Sequence, residues 1–160
     1  MAVQSLGTDD SMEYLIQKYA KTVYRLALAR TGQKSDAEDV FQEVFLRYVR
    51  KKPRFQSEEH EKAWFLRVTV NCANNLYLSA FRKNTAPLDE KMPAPEQDEP
   101  FLEEYLQQLS PICRTVIHLY YYEGLQTEEI AKLLHKSPST IRATLTRARK
   151  ALKISMEGDL

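Results

Sequence analysis

The sequence predicts an all-α protein made of two small helical domains. A flexible, acidic, proline-rich linker joins them, and the C-terminal domain carries a helix-turn-helix. Three observations lead there. Apolar residues recur at three- and four-residue intervals through most of the 160 residues, with almost nothing that alternates at the period of a strand. Residues 84–100, "NTAPLDEKMPAPEQDEP", hold four of the seven prolines and no apolar period, so they divide the chain into blocks 1–83 and 101–160. In the second block two Ser-Pro pairs, each an N-cap followed by proline at the first helical position, start helices at Ser110 and Ser137.

The first helix is read from "SMEYLIQKYAKTVYRLALAR". Met12, Leu15, Ile16, Tyr19, Val23 and Leu26 share a face, Asp10 or Ser11 can cap the start, and Gly32 stops it. In "SDAEDVFQEVFLRYVRK", Ser35 and Glu38 have capping-box spacing, and Ala37, Val40, Phe41, Val44, Phe45 and Tyr48 form the apolar face. Pro53 breaks the pattern. A long helix is expected over residues 57–82, with Trp64, Phe65, Val68, Cys72 and Leu76 inward. In the second block, the helix opened by Ser110 carries Val116, Ile117, Leu119 and Tyr120 and ends at Gly124. Thr127 caps a short helix with Ile130, Ala131, Leu133 and Leu134, and Ser137-Pro138 opens the last helix.

The formal net charge of +1 hides a segregation. Residues 1–83 carry 14 Lys/Arg against 10 Asp/Glu, residues 84–107 carry 1 against 7, and residues 108–160 carry 8 against 5. Two mildly basic blocks around an acidic one point to a nucleic-acid partner. The N-terminus has no basic start followed by an apolar run, and no apolar stretch approaches membrane-spanning length. Cys72 and Cys113 are read as reduced thiols, so the protein is expected in the cytoplasm with no membrane insertion.

The last helix bears the sharpest functional signal. Ile141, Leu145, Ala148 and Leu152 would hold it on its partners, leaving Ser139, Thr140, Arg142, Ala143 and Thr146 outward near its N-terminal end. That end of a recognition helix reaches base edges in the major groove, where Arg142 could grip guanine with two hydrogen bonds. Arg147, Arg149, Lys150 and Lys153 could neutralise phosphates. Basic residues near a helix C-terminus also suit the macrodipole. The preceding short helix, the paired caps and the unbroken charge sign favour duplex DNA. His60, His118 and His135 are scattered, and the chain has only four glycines, with no phosphate loop and no nucleophile elbow. The expectation is no catalytic residue, no metal, no cofactor and no enzymatic activity. His118 is read as a core or near-core residue.

At this point the residues resemble a family. "LSPICRTVIHLYYYEGLQTEEIAKLLHKSPSTIRATLTRARKAL" resembles the promoter-binding C-terminal domain of the extracytoplasmic function (ECF) subfamily of sigma-70-like RNA polymerase sigma factors. "DAEDVFQEVFLRYV" and "AWFLRVTVN" are similar to that family's polymerase-binding helix and to the helix that approaches the melted promoter. The resemblance implies a sigma factor directing core RNA polymerase to specific promoters and assisting DNA opening. The N-terminal domain would bind a coiled coil of the largest subunit and the minus-ten element. The C-terminal domain would bind the minus-thirty-five element and the flap of the second-largest subunit, and an anti-sigma factor is a further implied partner. Asp39, Gln42, Glu43 and Arg47 would contact polymerase. Arg54, Phe55, Arg67, Asn71, Asn75 and Arg82 would face the melted strand, with Phe55 either stacking on a base or packing under its loop. Asn75 stands where the family commonly has aspartate, and Leu78 where it commonly has arginine. The competing reading of the residues is a stand-alone helix-turn-helix regulator on operator DNA, and a helical adaptor without a DNA role is a third class.

Overall fold

A computed structural model describes the backbone of residues 2–78 and 108–158, and the side chains of residues 11–76 and 108–153. The expected linker at 84–100 and the start of the C-terminal block near Phe101 lie outside the described residues. Every regular element described is helical. In chain order they are α1 (Ala2–Thr31), α2 (Lys34–Lys51), α3 (Glu58–Leu78), α4 (Pro111–Ile117), a π-helical turn (His118–Tyr122), α5 (Thr127–Leu134) and α6 (Pro138–Gly158).

Local chemistry sets most of the boundaries. Gly32 ends α1 at φ +75°, its N–H donating to Leu28 O at 2.8 Å. Ser57 caps α3, accepting from the His60 N–H at 3.1 Å. Ser110 and Ser137 cap as expected, accepting from the Cys113 N–H at 3.4 Å and the Thr140 N–H at 3.2 Å. Four boundaries differ from the sequence reading. α1 continues upstream to Ala2, so Asp10 and Ser11 lie within it and cap nothing. α2 begins at Lys34 with extended Gln33 as its N-cap, which places Ser35 and Glu38 two positions too deep for a capping box. α5 is capped by Gln126 rather than Thr127, and the Gln126 N–H donates to Glu129 Oε1 at 3.1 Å. The helix opened by Ser110 does not stay α to Gly124. It widens after Ile117 into a π turn, in which the Glu123 N–H reaches His118 O at 3.2 Å.

Two apolar clusters hold these helices. The first lies among α1, α2 and α3. Tyr19, Val23, Tyr24, Phe41, Val44, Phe45, Phe65 and Cys72 are buried in it, and Phe41–Phe45 and Trp64–Phe65 meet edge to face at 4.9 and 5.0 Å. The second gathers Cys113, Val116, Ile117, Leu119, Ile130, Ala131, Ile141, Leu145 and Ala148 from α4 to α6. It also contains Leu26 of α1 and Leu66 and Val70 of α3. The two blocks of the sequence therefore share a core. α3 has two buried faces because residues 65, 72 and 73 point one way and residues 66 and 70 the other.

Candidate nucleic-acid interface

α5 and α6 form the helix-turn-helix. α5 closes on His135 in the left-handed region (φ 56°), where the Lys136 N–H returns to Ala131 O at 2.9 Å. Three residues later Pro138 opens α6. The Ser137 hydroxyl also lies 2.8 Å from Thr140 Oγ1 and 3.1 Å from Ser139 Oγ, so one serine organises the first turn. Ile141, Leu145 and Ala148 are buried and Leu152 is half-buried, as the sequence predicts. Thr144 is buried with them, donating to Thr140 O at 2.8 Å.

The remaining arc of α6 is exposed. All eight predicted duplex contacts, Ser139, Thr140, Arg142, Ala143, Thr146, Arg147, Arg149 and Lys150, lie on it, and residues 138–153 contain no acid. At helical spacing Arg142, Thr146, Arg149 and Lys153 form one stripe. Arg147 and Arg149 flank the arc on opposite sides. The Arg147 Nη2–H group donates to Thr144 Oγ1 at 3.3 Å. Arg149 is held on the side of the π turn: its Nε–H donates to Tyr121 Oη at 2.5 Å, and its guanidinium lies 5.4 and 5.5 Å from the rings of Tyr120 and Tyr121. The sequence reading did not single out these tyrosines as functional. The available signal was three consecutive tyrosines in a helical segment, since a helix cannot bury three adjacent positions on one face.

The predicted strand-facing residues divide. Arg67, Asn71 and Asn75 are exposed at four-residue intervals along one face of α3. Neighbouring Asn74 accepts from Arg30 Nε and Nη2 at 3.2 and 2.9 Å. Arg54 is exposed. Phe55 is half-buried and packs beside His60, Trp64 and Phe65 at 5.5, 5.9 and 6.2 Å, which favours the loop-packing role of its two readings. Arg82 and the side chain of Leu78 lie outside the described residues.

On α2, Asp39 is exposed, and Arg47 donates through Nε to Glu43 Oε1 at 3.2 Å one turn away. Gln42 corrects the expectation. It is 8 % exposed and engaged with another group, and a buried amide must use its hydrogen bonds inside the protein. The outward polar set on α2 is therefore Asp39, Glu43 and Arg47.

Polar contacts also cross between the blocks. Arg114 of α4 is buried, donating from Nε to Ala29 O and from Nη1 to Leu109 O, both at 2.8 Å. Lys62 of α3 donates to Glu123 O at 2.8 Å and pairs with Glu123 Oε1 at 3.3 Å. Glu123 Oε2 lies 3.5 Å from Nε2 of His118, which is 3 % exposed and stacks on Tyr122. Burial pushes the Glu123 carboxyl up, but His118 and Lys62 outweigh it and hold the group below its usual range. Burial raises the Cys72 thiol to about 11, which marks it as an inert packing residue. No helix among the described residues is long and apolar enough to cross a membrane.

Comparisons with known proteins agree in order along the chain. A family model described as Sigma-70 region 2 matches residues 15–86, and one described as Sigma-70, region 4 matches residues 102–152. The chain is 33% identical over 160 residues to the ECF RNA polymerase sigma factor SigE of Mycolicibacterium smegmatis, covering 89% of this chain and 60% of that protein. It is 29% identical over 157 residues to the ECF RNA polymerase sigma factor SigL of Mycobacterium tuberculosis, covering 91% of this chain and 89% of that one. Among solved structures, the sigma factor RpoE from Bartonella quintana, in complex with the anti-sigma factor NepR, shares the fold. The TM-score is 0.71 at 20% identity, over 94% of this chain and 99% of that one.

Proposed function

The chain belongs to the sigma-70-like sigma factors of RNA polymerase, in their ECF subfamily, and from that membership we propose that it is a dissociable transcription initiation factor of the cytoplasm. It lends promoter specificity to core polymerase, which performs the chemistry. The exposed stripe of α6 reads an upstream element as duplex, with Arg142 and Thr146 toward base edges and the flanking cations on phosphates. Arg67, Asn71 and Asn75 of α3, with Arg54 of the preceding loop, line the path of the melted strand, and captured bases offset lost stacking. Asp39, Glu43 and Arg47 of α2 meet the polymerase largest subunit, and the C-terminal block touches the flap. The observation that carries the DNA reading is the acid-free arc of α6, set outward by the Ser137 cap and a buried opposite face. An anti-sigma factor is the regulator this reading implies.

The test is reconstitution. Purified chain added to core polymerase and fragmented genomic DNA should produce transcripts from a restricted set of starts that core alone does not use. Unchanged start-site choice would overturn the proposal, and tight, specific retardation of DNA without polymerase would favour a stand-alone operator binder. Reversing both Asp39 and Glu43 to lysine should lower core-polymerase affinity at least tenfold while helix content by circular dichroism stays constant. Undiminished affinity would remove α2 from the contact.

A further inference from the structure

We propose that Tyr121, assisted by Tyr120, is a positioning residue for duplex DNA: it holds Arg149 so that both terminal guanidinium nitrogens face a backbone phosphate. This rests on the reading of α6 as the duplex-binding helix, and it adds two residues from outside the helix-turn-helix to that surface.

Arg149 is the last arginine of the exposed arc and borders the side where α6 packs on α4 and the π turn. Its Nε–H is committed to Tyr121 Oη, and its guanidinium carbon lies 5.4 and 5.5 Å from the centres of two phenol rings that themselves meet edge to face at 4.9 Å. An arginine has five N–H donors in a rigid fork. With Nε committed to Tyr121 and a further hydrogen bond directed to Tyr120, the remaining N–H groups on the two terminal nitrogens are left for phosphate oxygens. An untethered arginine in water would lose rotamer entropy on reaching a phosphate, whereas this one has already been fixed.

Tyr121 gains little from where it sits unless that is its task. It is 55% exposed, with its ring in water rather than in either core. The π turn puts it there. Inserting one residue into the helix keeps His118 and Leu119 inward and turns Tyr120 and Tyr121 toward α6. Across the arc Arg147 is steadied by Thr144, so the arginines at the two edges of the exposed arc are each tied to a hydroxyl. Two restrained arginines on opposite sides of a recognition helix match the two phosphate rows that border a major groove. An acidic protein surface could also take a cation, but the preceding residues of the stripe, Arg142 and Thr146, continue from Arg149 toward the helix end that enters DNA.

The test uses the full chain and a mixed-sequence 30-base-pair duplex, because phosphate contacts do not depend on sequence, with anisotropy read over a range of salt concentrations. Arg149→Ala should weaken binding about tenfold and reduce the steepness of log K against log salt by about one. Tyr121→Phe should weaken binding about fivefold in the wild-type background, with no change in thermal midpoint, and should have no further effect once Arg149 is alanine. Arg149→Lys keeps the charge but not the fork, so it should not restore sensitivity to Tyr121→Phe. Additive losses in the double variant, or an unaltered Tyr121→Phe affinity, would overturn the proposal. If Lys150→Ala weakens the duplex while Arg149→Ala does not, duplex binding by α6 stands and the tyrosine role falls. Loss of core-polymerase affinity alone in Arg149→Ala would assign the pair to a protein contact, against the proposal. No salt-dependent affinity in the wild type would overturn both readings.

Discussion

Gly32 and Arg114 lie together where the two blocks meet. A Cβ on Gly32 would lie 2.6 Å from Arg114 Nη2, and the backbone there is already at φ +75°. Gly32→Ala is therefore expected to cost about 1–3 kcal/mol from left-handed strain plus a displaced guanidinium, read by urea denaturation. Glu123 provides a pH signature. Its carboxyl is held below the ordinary 4.5, so its contribution is present above that value and is lost as pH falls through the lower folded-state value. Wild type and Glu123→Gln should thus differ in stability at neutral pH and converge as the pH falls below 4.5 and through the lower folded-state value. A constant difference across that window would mean that Lys62 and His118 do not act on the carboxylate. Residue-scale features were unevenly legible. Gly32, Ser110 and Ser137 announce themselves because only a few residue types serve such positions. Gln33 and Gln126 do not, because glutamine is no usual cap and nearby Ser35 and Thr127 look better on paper. The burial of Gln42 gives no sequence signal, since a polar residue between Phe41 and Glu43 reads as wet.

Among elements, α6 was the most readable. Its apolar positions, opening cap and charge sign all point the same way, and agreement across levels makes a sequence specify one structure. Removing the cap should show how much depends on it. Ser137→Ala leaves the Thr140 N–H without its side-chain acceptor and should cost about 1 kcal/mol of stability. It should also weaken duplex binding, because Ser139 and Thr140 lose the hydroxyl that orders them; intact DNA affinity in a destabilised variant would separate the cap from the reading surface. The π turn was not legible. Periodicity over residues 111–123 is too short to distinguish 3.6 from a locally wider repeat, and His118 facing inward satisfies either.

For the whole molecule, the all-α class and the order of helices could be read from apolar spacing, and the shared core could not. Leu26 reads as buried without naming what covers it, Leu66 and Val70 fall off the inward face expected of α3, and a three-helix block offers a sufficient partner close by in sequence. Their actual neighbours lie on α4 to α6, across a proline-rich segment that suggests independence. A common core predicts common melting. Fluorescence of the single tryptophan, Trp64, which packs in the first cluster, should report the same denaturation midpoint as far-ultraviolet circular dichroism, which averages over both blocks. Leu66→Asp would place an unpaired charge inside the second cluster and should split the two transitions.

The second buried face of α3 also bears on any attempt to dissect the chain. Cutting it between residues 78 and 108 would leave Leu26, Leu66 and Val70 bare on one fragment and the matching valines, leucines and isoleucines bare on the other. Such severed pieces would find each other again in a test tube, and each made alone would tend to precipitate.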